Sequence, residues 1–260
     1  MKKIFALVMA VILVAGVFTL AGCGKTEDNN GAEKLILATS ADFPPYEYIE
    51  GNGYAGIDIE IAGLIAEKLG RELAVENMNF NSIINAVETG KADIGMAGLT
   101  VNEDRLQSVD FTDSYATGVQ AIIVPENSPI KTLDDIYADG AAYKFGVQLS
   151  TTGDIYISTE INDDKTLNGT VEQYTTGAEA VAALVAGKID CVVIDNEPAK
   201  SFVAANKGLK VLDTEYAVED YAICLAKGNT ELLEQVNKAL AELKADGTID
   251  GIINKYIPAE

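Results

Sequence analysis

The chain has 260 residues, 48% hydrophobic and 23% charged, the profile of a globular protein of one large or two ordinary domains rather than a fibre, a disulfide scaffold or a disordered tail. It has no histidine, which excludes Ser-His-Asp and Cys-His catalysis, histidine metal ligation and histidine pH switching. Nineteen Lys and Arg against 40 Asp and Glu give a net charge of −21, a surface that repels phosphate backbones, so no nucleic-acid partner is expected.

The first residues read as an address. Lys2 and Lys3 supply a positive start, Ile4 to Gly22 carries no charge, and Leu20-Ala21-Gly22-Cys23 follows. A basic start, an apolar run and small residues before a cut describe an export signal. The run is long enough that a retained membrane anchor is the alternative. Leu-Ala-Gly-Cys looks like a lipobox, which predicts a lipoprotein signal peptide over residues 1–22 and lipid attachment at Cys23. Lys25 to Ala32 is short, polar and Gly-containing, so residues 23–32 are expected to be a flexible tether.

Strands and helices then alternate. Lys34 to Thr39 is a buried strand; Asp58 to Leu69 carries Ile61, Leu64, Ile65 and Leu69 at helical spacing before Gly70. Arg71 to Asn77 is a second strand, Asn81 caps a helix running to Gly90, and Ala92 to Ala97 is a third strand. This is the pattern of a parallel sheet with helices on its faces. The second half repeats it: a strand at Lys144 to Gln148, a helix opened by Thr151-Thr152-Gly153-Asp154, a helix at Ala178 to Ala186 and a strand at Ile189 to Ile194. Thr230 to Tyr256 is an amphipathic helical tail broken at Asp246-Gly247.

The halves can be superposed. Ala86 to Gly98 (AVETGKADIGMAG) and Ala183 to Asp195 (ALVAGKIDCVVID) share a helix–Gly-Lys-x-Asp–strand grammar. Gly90 and Gly187 close their helices in a left-handed conformation, and Asp93 and Asp190 lead into their strands. Gly98 and Asp195 then sit at equivalent carboxyl ends, the edge at which open α/β sheets bind ligands. Cys191 and Cys224 lie in apolar strand-like runs, either as two buried free thiols, the favoured reading, or as a disulfide.

Arginine is the informative cation, since only Arg71 and Arg105 are present and the guanidinium fork grips a carboxylate bidentately. Arg71 follows a helix-ending Gly and reads as a surface residue. Asn102 can cap a short helix that places Arg105 facing the strand end; alternatively Arg105 pairs on the surface with Glu103 or Asp104. Thr151 and Thr152 are either ordinary caps or part of an anion site at a helix N-terminus. Asp195 is either a turn residue or an acceptor for a cation. Phe43, Tyr46 and Phe80 beside loops are either core or pocket lining. Together the set is complementary to an α-amino acid: Arg105 and helix N–H groups for a carboxylate, Asp195 for an ammonium, aromatics for apolar faces.

The stretches ATSADFPPYEYIEGNGYAGIDIEIAGLIAEKLG (38–70), GKADIGMAGLTVNEDRLQSVDFTDSY (90–115), GVQLSTTGD (146–154), GKIDCVVIDNEPA (187–199) and YAICLAKGN (221–229) closely resemble the extracytoplasmic solute-binding proteins of amino-acid ABC importers, family 3. The resemblance runs from Leu35 to about Ile257. It implies the type II periplasmic-binding-protein fold, two α/β lobes joined by two crossover strands near 115–120 and 216–222, with a ligand cleft between them. The implied lobes are 33–117 plus 222–260, and 118–221 with hinge segments at its ends. It further implies that Arg105 clamps the ligand carboxylate, that Thr100 and the Gly98 main chain complete that lobe's contacts, that Thr152 with Thr151 beside it adds hydrogen bonds to the carboxylate, that Asp195 holds the ammonium, and that Phe43 and Phe80 sandwich the side chain with Tyr46 nearby. Ser40 stands where relatives that bind basic amino acids often carry an acid, which favours a neutral polar ligand, although Asp42, Glu47 or Asp154 can still supply charge.

The resemblance thus implies a monomeric, lipid-anchored extracytoplasmic carrier that delivers an amino acid to a permease, with no cofactor, no metal and no catalysis. The rival readings are a dehydratase-like enzyme on the same scaffold, a receptor sensory domain, which the absence of a downstream membrane span or signalling domain in the sequence disfavours, and binding of another small carboxylated solute.

Overall fold

The computed structural model describes residues 33–213 and 215–258; the expected signal peptide, Cys23 and the expected tether lie outside the described residues. Lys34–Thr39 forms the strand its composition predicts, with Leu35, Leu37 and Ala38 fully buried. It lies between two strands of its own sheet, parallel to Glu72–Asn77 and Ile94–Gly95, and helices cover the faces, which is why it reads as a continuous apolar run. The helix Ile57–Lys68 turns Ile61, Ala62 and Ile65 onto this sheet.

The first sheet runs, edge to edge, Glu72–Asn77, Lys34–Thr39, Ile94–Gly95, Cys224–Ala226 and Val109–Phe111. The second runs Gly169–Tyr174, Tyr143–Gln148, Cys191–Asp195, Ala116–Pro125 and Leu209–Val211, with Ala217–Tyr221 also paired to Ala116–Pro125. In each, the first parallel strand sits between the second and third. The strand order therefore reverses at Thr39 and Gly95 in one lobe and at Gln148 and Asp195 in the other, which are the topological switch points.

The two lobes share crossover strands that form one antiparallel ribbon, Ala116 opposite Tyr221 and Gln120 opposite Ala217. This is the type II periplasmic-binding-protein fold. The helices Thr230–Ala245 and Thr248–Tyr256, separated at the left-handed Gly247, return to pack on Ile57–Lys68.

The repeat is real in hydrogen bonds. Gly90 and Gly187 both adopt positive φ, +72° and +65°. Asp93 Oδ2 accepts from Ile36 N at 2.7 Å, and Asp190 Oδ2 accepts from Lys144 N at 2.8 Å. Each aspartate thus ties its incoming strand to the start of the neighbouring one. Cys191 and Cys224 are buried free thiols in different sheets, and burial pushes both thiol pKa values up.

Three expectations are corrected. Asn81 is not a cap: it sits inside a 3-10 turn, Phe80–Ser82, that leads directly into Ile83–Glu88. The strand expected over 92–97 shortens to Ile94–Gly95 as the chain turns out at Gly98, φ +52°. The strand expected to start at Ile189 starts at Cys191. Among the described residues no helix is long and apolar enough to cross a membrane.

Candidate functional site

A small, nearly closed cavity lies between the lobes at the two switch points. Nine of the ten residues singled out in the sequence line it: Ser40, Phe43, Phe80, Gly98, Thr100 and Arg105 from one lobe, and Thr151, Thr152 and Asp195 from the other. The tenth, Tyr46, is packed behind it, 6.0 Å from Phe43 and edge-on to Tyr221 at 5.2 Å between ring centroids.

Arg105 owes its place to Asn102, whose Oδ1 accepts its backbone N–H at 2.8 Å at the start of the short helix. The side chain is 8% exposed and runs under Phe80, with its guanidinium 5.4 Å from the ring centroid. Nη1 donates to Thr100 O at 2.7 Å, and Nη2 reaches across the cleft to Ser150 O at 3.1 Å. Both bonds go to neutral carbonyls, and among the described residues no carboxylate forms an ion pair with Arg105. Burial lowers its pKa, against the pull of the Glu219 and Asp195 charges. The surface pairing with Glu103 or Asp104 is not what forms.

Asp195 ends the strand Cys191–Asp195 and starts the next helix, yet its side chain caps nothing. Oδ2 accepts from Gln120 Nε2 at 2.8 Å, and Oδ1 accepts from the Tyr221 hydroxyl. Burial, and then the Glu219 charge, push its pKa well above the ordinary carboxylate range. Thr151 is an N-cap, accepting from Asp154 N and donating to Gln148 O at 2.8 Å. The first N–H groups of the helix Thr152–Asn162 have no partners within the helix and carry its positive dipole end into the cavity wall.

The Gly98 main chain is fixed by Asp58, whose Oδ2 accepts from Gly98 N at 2.9 Å and Oδ1 from the Tyr115 hydroxyl at 2.8 Å. Burial holds Asp58 up at about 6. Glu47 also lines the cavity, is fully buried, and among the described residues receives no donor at either oxygen. Burial, and then the adjacent Asp58 carboxylate, to which a protonated Glu47 donates, push its pKa well up. Ser40 donates to Asp42 Oδ1 at 3.0 Å, and Gln148 completes the wall. Asp154 lies outside the lining, accepting from Ser150 N and Gln173.

Sequence reasoning missed Asp58, Gln120, Gln148, Glu219 and Tyr221. Asp58 reads as a first-turn helix acid. The one available signal for Glu219 was alternation: in Ala217–Tyr221 it and Tyr221 occupy the inward positions, an unusual place for an acid.

Two α/β lobes on a paired crossover, closing over one cavity at both switch points, define a two-lobed solute-binding protein. The chain belongs to the bacterial extracellular solute-binding proteins, family 3, whose pattern it matches over residues 35–259. It is 30% identical over 265 residues to the arginine-binding extracellular protein ArtP of Bacillus subtilis (strain 168), covering the whole of both chains. Among solved structures it is similar to an ancestral arginine-binding protein, with 38% identity to the glutamine-bound form (87% of this chain, 98% of that one) and 39% to the arginine-bound form (86% and 98%), both at a TM-score of 0.78. These relatives are amino-acid-binding proteins, and this chain is likewise a binding protein rather than an enzyme.

Proposed function

We propose that the protein binds one free α-amino acid outside the cytoplasmic membrane by closure of the two lobes and hands it to an ABC permease. The observation that carries this reading is the unpaired Arg105. A buried guanidinium with no counter-ion costs several kcal/mol unless an anion completes it, and its cavity has a carboxylate, Asp195, on the opposite lobe. A zwitterion answers both. Each lobe supplies part of the site, so the ligand favours the closed form by its differential contacts.

The side-chain end of the cavity points to a ligand rich in N–H donors. Ser40 alone favours a neutral polar side chain. Glu47, buried without a donor, and Asp42 beside it add acceptors and no cation. A guanidinium satisfies both and supplies the counter-charge, so arginine is the first reading. A carboxamide such as that of glutamine, accepted by neutral Glu47, is the second. The arginine-binding relatives support this order. Calorimetry with the common amino acids tests it: arginine or glutamine is expected to bind tightest, and a preference for acidic or apolar side chains overturns it.

Anchoring through a lipid on Cys23 is part of the same proposal. Cys23→Ser is expected to release the protein from membranes; continued pelleting after a salt wash refutes the lipid and favours a retained helix.

A further inference from the structure

Glu219 stands behind the cavity, on the crossover strand Ala217–Tyr221, and is 5% exposed. Its Oε2 gathers three donors. Thr100 Oγ1 donates from one lobe at 2.9 Å, Thr152 Oγ1 from the other at 2.9 Å, and Gln120 Nε2 from the partner crossover strand at 3.1 Å. A threonine hydroxyl has one proton and two lone pairs, whereas a carboxylate only accepts. The protons of both cavity-lining threonines are therefore committed to Glu219, away from the ligand.

We propose that Glu219 is a positioning residue that sets the hydrogen-bonding polarity of the cleft. It holds Thr100 with a lone pair toward the cavity, so that this hydroxyl accepts from the ligand ammonium beside Asp195. The carboxylate end is then left to Arg105 and the helix N–H groups. Gln120 extends the same polarity: its Nε2 protons face both Glu219 and Asp195, at 3.1 and 2.8 Å, which fixes the amide's orientation between two acids. The inference rests on the amino-acid reading above. It differs from a purely structural role for Glu219 in one respect: Glu219 acts chiefly through the Thr100 hydroxyl, so most of its effect on binding is lost when that hydroxyl is absent.

A double-mutant cycle reads this directly. Affinities for L-arginine and for L-glutamine are measured by calorimetry on the wild type, Glu219→Gln, Thr100→Val and the double variant, with thermal melts to establish folding. A Gln at 219 can donate to Thr100 and turn its proton into the cavity, against the ammonium. Each single change is expected to weaken binding about tenfold, the worth of one hydrogen bond to a charged group. The double variant is expected to stay within about threefold of the weaker single one. Should Glu219→Gln not fold, Glu219→Met, similar in shape and unable to accept strongly, takes its place with the same expectation. Losses that multiply in the double variant, or a Glu219 variant that binds like the wild type, overturn the Glu219 role alone. A wild type that binds no amino acid overturns the reading beneath it.

Discussion

Replacing Arg105 by Met separates binding from stability. In the unliganded protein the guanidinium makes two hydrogen bonds, to Thr100 O and Ser150 O. At about 1.5 kcal/mol for each bond to a charged group, their loss costs about 3 kcal/mol. Against this, the substitution removes a buried cation without a counter-ion, whose desolvation penalty is also several kcal/mol. Met keeps an apolar stem under Phe80. The two changes nearly cancel, so the unliganded Arg105→Met protein is expected to melt within about 4 °C of the wild type, about 1 kcal/mol for a chain of this size. Binding behaves differently. The ligand carboxylate now enters a dry cleft without its cation, a loss of at least 2 kcal/mol and as much as about 5, or about thirty-fold to several thousand-fold in Kd. Calorimetry and thermal melts on protein stripped of ligand measure both. A Kd within tenfold of the wild type refutes the carboxylate site, and a melting point lowered by more than about 10 °C shows that Arg105 is chiefly structural.

Asp195→Asn removes the negative charge while keeping the shape that meets Gln120 and Tyr221. It is expected to weaken amino acids far more than their deaminated analogues, and equal losses for both count against the ammonium role. Glu47 gives a pH signature. Its folded-state pKa lies above the ordinary 4.5, so the folded protein holds a proton that the unfolded chain has released, and stability declines as pH rises above about 4.5. Asp58, at about 6 against 3.8, adds a decline of the same sign over that interval. Glu47→Gln should therefore gain melting temperature over the wild type from pH 5 to pH 8, and parallel curves contradict the assignment. Arginine binding, which draws a proton off Glu47, should tighten with pH over the same range, whereas glutamine binding should not. Gly98→Ala puts a Cβ at φ +52°, 3.1 Å from Phe43 Cε1. Left-handed strain of about 1–2 kcal/mol is expected in thermal melts together with weaker binding, and an unchanged protein shows that the turn at Gly98 is not needed.

The sequence was most legible where structure is made by near neighbours. The Gly-Lys-x-Asp repeat foretold two left-handed helix ends and two aspartates leading into strands, because a helix stop and its following strand are specified within a dozen residues. Asn102 and Arg105 were legible for the same reason, three residues apart in one capping turn. Tyr46 was not: a tyrosine beside a proline turn serves a pocket or a core equally well, and only packing against Tyr221, far along the chain, placed it behind the cavity. The short strand at Ile94–Gly95 likewise shows a local apolar run overruled by the turn at Gly98.

Taken alone, the amino acids determined the two α/β units and their helix and strand order, since periodicity, caps and turn glycines act over a few positions; the residues of the cleft were expectations that the family resemblance supplied. Tertiary structure alone decided which groups are satisfied and which are left wanting. Glu219 meets Thr100 across 119 residues and Thr152 across 67, whereas among the described residues Glu47 meets no donor and Arg105 pairs with no acid. A proton's direction depends on the atoms that surround it, and in this protein those atoms come together only when both lobes and both crossover strands close on one point.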